Sequence, residues 1–229
     1  VTLRVRSVAE TKSGQTHVDT SEDDVLTRGL HAANLSVAWL DGGIGFFYTK
    51  CSDGSRSEGA SGGSVCFHQL GTSQTADVVV FSAPAQDPMI SNTRECYSLE
   101  MSADSKWLLV TVYQEEAQDL LFSESTEVAG VNRSNRFYAM DVSSCKGSGG
   151  NVSDLKALHL LRLIDGEARN YCWQYIANID SKFWFRTNYG AEHFRVVSLI
   201  LPSQSELRSL RGVQAIEACM LQTWQNVQE

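Results

Sequence analysis

A serine framed by glycines is the most suggestive chemical spacing in the chain. Gly59-Ala60-Ser61-Gly62-Gly63 fits G-x-S-x-G, the pattern of a nucleophile elbow. In an elbow the serine sits on a strained turn between a buried strand and a helix. Neither flank supplies that context. Ser52 to Glu58 is polar, and Val65 to His68 has the character of a strand. The segment is therefore read as a Gly/Ser-rich loop rather than a catalytic turn. His68 is the natural candidate for a general base, yet the sequence sets no nucleophile or orienting carboxylate beside it. A packed or surface histidine is the reading preferred. His17, His31, His159 and His193 are isolated and lack ligand spacing. Glu115, Glu116 and Asp119 form an acidic cluster without an EF-hand or paired-carboxylate setting, which fits a solvated loop.

The six cysteines, at 51, 66, 96, 145, 172 and 219, contain no C-x-x-C pair. Zinc sites need short ligand spacings. Cys66, Cys96 and Cys172 fall in apolar runs and are expected to be buried thiols in a reducing compartment. Sequons at Asn34, Asn132 and Asn151 are short patterns that chance produces readily. No catalytic residue, metal or cofactor is assigned from these residues.

Composition narrows the partners. The formal net charge is −8 over 229 residues. Phosphate binding needs clustered Lys and Arg, so nucleic acid is not expected, and no polybasic segment points to an anionic membrane. No apolar run is long enough to span a bilayer. Val1 to Ser7 alternates, carries Arg4 and Arg6, and lacks both a signal-peptide core and an initiator methionine. A cytoplasmic location and a start inside a longer reading frame are the expectations.

Stepping along the chain, apolar β-prone runs recur in groups. Leu35–Trp39, Ile44–Thr49, Val65–Leu70 and Asp77–Ser82 form the first group, with Asp41-Gly42-Gly43 as a hairpin turn. Cys96–Met101, Trp107–Tyr113, Arg136–Val142 and Leu158–Ile164 form the second, turning at Ala103 to Lys106. Trp173–Ile179, Phe183–Thr187 and Phe194–Leu201 begin a third, turning at Asp180-Ser181-Lys182. The turn aspartates Asp41, Asp104 and Asp180 lie 63 and 76 residues apart. A repeating apolar strand, Asp turn and aromatic-rich strand is the pattern of a β-propeller. The fold class expected is all-β, a partial propeller of about three four-stranded antiparallel blades. A β-sandwich is the simpler alternative, but its strands alternate more cleanly. Trp39, Phe46, Phe47, Tyr48, Trp107, Trp173, Phe183, Trp184 and Phe185 are expected in the core between blades. The propeller should occupy residues 1–202. Residues 203–229 read as a divergent tail with a partly helical period through Leu207, Leu210, Val213, Ile216 and Leu221.

Several of these segments, in order, resemble the propeller of the prolyl oligopeptidase family. Ala38-Trp-Leu-Asp-Gly-Gly-Ile-Gly-Phe-Phe-Tyr48 is similar to its Ala-Trp, Asp-Gly, Phe-Tyr strand pair. His68-Gln-Leu-Gly-Thr-Ser-Gln-Thr-Ala-Asp77 is similar to its His-x-Leu-Gly-Thr-x-Gln-x-x-Asp segment. Leu99 to Leu109, Leu163-Ile-Asp165, Phe185-Arg-Thr-Asn188 and Arg195-Val-Val197 follow the same order. The resemblance implies a serine endopeptidase whose propeller covers the cavity of an α/β-hydrolase domain and admits short proline-containing peptides. That hydrolase domain, with its Ser, His and Asp, is expected to be missing from these residues. The partners implied are that domain and short peptides, with no nucleic acid and no membrane. Asn188 and Tyr189 are the substrate-channel or domain-interface candidates. The family often follows Thr-Asn with Arg. Tyr189 cannot supply a permanent charge or a guanidinium fork in its place. A non-catalytic propeller serving as a scaffold or interaction module is the alternative, because fold does not fix function.

Overall fold

The three aspartate turns each join the first two strands of a sheet. The computed structural model describes residues 1–10, 16–30, 35–51, 63–82, 94–115, 135–145, 155, 161–165, 171–191 and 194–201. Ser61, Glu116, Asp119, the three sequon asparagines and the tail 203–229 lie outside them. The chain divides into two units, Val1–Asn92 with Cys145–Ala157, and Thr93–Ser144 with Leu158–Glu229.

In the first unit, strands β1 (Leu3–Glu10) and β2 (Thr16–Leu26) form an antiparallel pair. The polar content of β2 conceals it from pattern reading, and neither strand was expected. Four further strands follow: β3 (Val37–Trp39), β4 (Gly45–Cys51), β5 (Gly63–Gln69) and β6 (Val78–Ser82). They make one antiparallel sheet in sequence order. Asp41-Gly42-Gly43 makes the β3–β4 turn, closed by Leu40 N–H donating to the Gly45 carbonyl at 3.1 Å. Gly45 must be glycine for a different reason, because a Cβ there would collide with the His68 carbonyl. The core packs Leu26 of β2 with Phe46, Tyr48 and Cys66, flanked by Leu3, Val5 and Val37.

In the second unit, β7 (Arg94–Met101), β8 (Trp107–Glu115), β9 (Asn135–Asp141) and β10 (Leu161–Asp165) form another four-stranded antiparallel sheet. The first three residues of the apolar run read for β10, 158–160, lie outside the described residues. The sheet β11 (Trp173–Ile179), β12 (Lys182–Thr187) and β13 (Arg195–Ile200) has three strands among the described residues, matching the three runs read for the third group. Its Asp180-Ser181 turn places Asp180 at φ 50°, a conformation Asp tolerates better than most residues. Asn178 Nδ2 donates to the Asp180 carbonyl at 3.0 Å and steadies it.

The two sheets of the second unit share one core. Trp107, Leu109, Phe137 and Ala139 from the first meet Trp173, Phe183, Phe185, Val197 and Leu199 from the second. Ring pairs are edge-on, Trp107–Phe183 at 5.8 Å and Phe137–Phe185 at 5.0 Å, the arrangement aromatic quadrupoles favour. Asn135 on β9 clamps β11 by accepting from Trp173 N–H at 2.9 Å and donating to the Trp173 carbonyl at 2.6 Å. At the turns, Ala103 N–H donates to Tyr175 Oη at 3.0 Å and Asn178 Oδ1 at 3.1 Å, and Lys106 Nζ meets Asp180 Oδ1 at 2.8 Å.

Most of the aromatics expected in the core are buried. Trp39, 50% exposed, and Trp184 are the exceptions. Trp39 shares a face with Phe46, whose ring it touches at 5.0 Å, but it sits on an edge strand and is covered from one side only. Trp184 is half-buried beneath Lys182 Nζ, which lies 5.4 Å from the ring centroid. The architecture is all-β, with antiparallel sheets of the size and strand order of propeller blades. No helix among the described residues is long and apolar enough to cross a membrane.

Candidate functional site

Asn188 and Tyr189 occupy the connection from β12 to β13. The chain turns there with Ala191 N–H donating to the Asn188 carbonyl at 3.3 Å. Asn188 Oδ1 accepts from Cys172 N–H at 2.8 Å, so this side chain ties the turn to the start of β11. Tyr189 N–H donates to Thr187 Oγ1 at 3.1 Å. The Tyr189 ring meets Tyr171 edge-on at 5.0 Å and lies 5.9 Å from Trp173. The Arg195 guanidinium carbon sits 5.7 Å from the Tyr189 centroid. Both residues are half-buried. The corner is thus an aromatic wall with a cation beside it, assembled from the two strand ends. Removing the Asn188 amide leaves the Cys172 N–H without this acceptor. Asn188→Ala is expected to destabilise the second unit by roughly 1–3 kcal/mol, read as a lowered urea midpoint. Asn188→Asp keeps the acceptor and should lose much less.

A second polar centre lies in the first unit. His68 on β5 is only 1% exposed. Its Nδ1 is 2.7 Å from Asp77 Oδ1, and its Nε2 faces Asp24 Oδ2 at 3.6 Å. Tyr48 on β4 donates its hydroxyl proton to Asp77 Oδ2 at 2.6 Å. Asp24 Oδ2 also accepts from Gly71 N–H at 2.8 Å, which requires the turn geometry that Gly71 adopts at φ 76°. Gln74 completes the knot. Its Oε1 accepts from Thr27 and Arg28 N–H, both at 3.0 Å, and its Nε2 donates to the Arg28 carbonyl at 2.9 Å.

The charges follow from these contacts. Burial works against the imidazolium, but the hydrogen bond and charge of Asp77, with the charge of Asp24, outweigh it and raise the His68 pKa. Burial, reinforced by the bond to Asp77, pushes the Tyr48 phenol far up. Burial likewise raises the Cys66 and Cys172 thiols, so neither is a poised nucleophile. Cys66, Cys96, Cys145 and Cys172 are buried and Cys51 is half-buried. No cluster of His, Cys, Asp and Glu among the described residues could hold a metal ion.

His68 is therefore a packed histidine, as preferred from the sequence, but it does have carboxylates beside it. The run from His68 to Asp77 is a structural tie that fastens β2 to β4, β5 and β6. The roles of Asp24, Tyr48 and Gln74 were not foreseen. The available signal was a His and an Asp bracketing a Gly turn at the ends of two apolar strands.

Residues 1–227 match the sequence pattern of the prolyl oligopeptidase N-terminal beta-propeller domain. Among solved structures, the chain is similar to prolyl oligopeptidase B from Galerina marginata. The form bound to a 35mer hydrolysis and macrocyclization substrate has 17% identity and a TM-score of 0.56 over 87% of this chain and 24% of that one. The form bound to a 25mer macrocyclization substrate has 19% identity and a TM-score of 0.52 over 77% of this chain and 20% of that one. At these identities the likeness is one of fold, and the chain spans less than a quarter of those chains. With the match running from Val1 to Val227 and the blade-sized meanders in both units, the chain belongs to the prolyl oligopeptidase family, within its N-terminal β-propeller domain.

Proposed function

We propose that this chain is the substrate-gating propeller portion of a serine endopeptidase that hydrolyses short proline-containing peptides. The family match over residues 1–227 carries the proposal. In this reading a Ser-His-Asp triad on an α/β-hydrolase domain, outside these residues, performs acyl transfer from the prolyl peptide bond to serine and then to water. The propeller contributes exclusion. Its buried aromatic cores make rigid walls, which admit a short peptide and turn away a folded protein. Asn188 and Tyr189 belong to the surface that meets peptide or hydrolase domain. With Tyr189 where the family often has Arg, that position meets its partner by ring contact, and the fixed charge at this corner comes from Arg195 instead.

The gene product carrying this segment is expected to cleave after proline in short peptides and to spare folded proteins. Equal cleavage of both would remove gating. A transcript that stops without a hydrolase domain would favour the scaffold alternative. The isolated chain should take no fluorophosphonate label. Labelling that vanishes in Ser61→Ala would put the nucleophile at Ser61 and overturn the proposal.

A further inference from the structure

An imidazole held between two carboxylates from different elements has a narrow set of satisfactory protonation states. Asp77, in the turn before β6, faces Nδ1 at 2.7 Å. Asp24, on β2, faces Nε2 at 3.6 Å. A neutral ring carries a single N–H. With that proton on Nδ1, the Nε2 lone pair points at the Asp24 carboxylate. With it on Nε2, the lone pair meets Asp77 at closer range. Only the imidazolium satisfies both sides. Nε2 is buried and makes no hydrogen bond within ordinary range, so charge is what couples it to Asp24.

We propose that His68 is a proton-controlled latch that fastens the β1–β2 hairpin to the β3–β6 sheet. The two carboxylates differ in freedom. Asp77 is 5% exposed and anchored by the buried Tyr48 hydroxyl, whereas Asp24 is 15% exposed and its Oδ2 is held by the N–H of exposed Gly71 at 2.8 Å, a bond open to exchange with water. When His68 loses its proton, Asp24 is the group that moves. Asp24 pairs with Val5 across the hairpin, so its release loosens both strands. The remaining titratable groups in this cluster do not substitute for the proton. Tyr48 donates to Asp77, Cys66 is a buried thiol on the same strand as His68, Lys50 acts on Cys66, and the Phe46 ring 5.2 Å from the imidazole is apolar. Leu3, Val5 and Leu26 still pack on the core, and Gln74 still binds Thr27 and Arg28. The hairpin therefore frays around Asp24 rather than leaving. A two-stranded pair is marginal by itself, which makes its attachment sensitive to one charge.

The sign follows from the raised His68 pKa. The latch is fully closed below about pH 6.5, the ordinary histidine value, and opens as pH climbs through the higher folded-state value. Hydrogen exchange of the full chain across this range is the test, with rates corrected for their intrinsic pH dependence. Protection of the β1 and β2 amides should fall by up to about tenfold per pH unit in that window, while β8 and β9 amides stay level. Asp24→Asn removes the facing charge and should flatten the hairpin's response. Level protection of the wild-type hairpin would overturn the latch. So would a ring nitrogen NMR signal showing His68 neutral at pH 6, a readout that does not depend on any variant folding.

Discussion

Phe185→Ala is expected to cost the second unit about 3–5 kcal/mol, the range for truncating a buried aromatic. Phe185 has no exposed surface. Its ring lies edge-on to Phe137 at 5.0 Å and to Trp173 at 6.1 Å, and stacks on Phe183 at 6.4 Å. Strand β12 is hydrogen-bonded on both sides, to β11 and β13, so the backbone cannot sink into the cavity left behind. Whole domains are stable by only about 5–15 kcal/mol, and the loss should shift the urea midpoint strongly. Trp107 and Trp173 lie in the same cluster and report it through their emission. Phe185→Leu should recover most of the loss. Ile179→Thr, on the outer face where Ile179 is 69% exposed, should change the midpoint little. A Phe185→Ala loss below about 1 kcal/mol would mean that the aromatic cluster is not a closed core.

Asp77→Ala is the second large effect. One carboxylate serves two buried partners, His68 and Tyr48. Deleting it strands a histidine and a phenol in the core, and breaking a buried pair in this way costs about 3–5 kcal/mol. Asp77→Asn retains an acceptor without the charge and should fall between. Its pH response separates this from a simple loss of packing. In the wild type the raised His68 pKa adds stability that is complete below about pH 6.5 and fades as pH rises through the folded value. Without Asp77, burial acts on His68 with less opposition and that gain should largely disappear. Urea midpoints at pH 6 and pH 8 should therefore converge in the variant. An unchanged difference between the two would remove Asp77 from the explanation.

The parts of the fold visible in the sequence were those written in short-range chemistry. Asp41, Asp104 and Asp180 sit in turns that need unusual backbone geometry, and the apolar runs beside them become β4, β8 and β12. The His68 network was hidden because its second carboxylate comes from β2. The run Thr16-His-Val-Asp-Thr-Ser-Glu-Asp-Asp-Val-Leu26 carries so many polar residues that no alternation marks it as a strand. Trp39 misled for a related reason. Residue type says that tryptophan prefers burial, but the edge position of β3 decides how much cover is available. Asn188 was singled out, yet its bond to Cys172 N–H depends on where β11 begins, which spacing alone does not reveal.

Among the described residues every sheet joins strands that are neighbours in the chain. Such an arrangement asks little of long-range search during folding, because each pairing closes only the loop just synthesised. The β3–β6 sheet has all four of its strands once Ser82 has left the ribosome, before any residue of β7 has emerged to compete for its edges. Vectorial synthesis can thus lay the blades down one at a time, so that late-emerging segments meet surfaces already built.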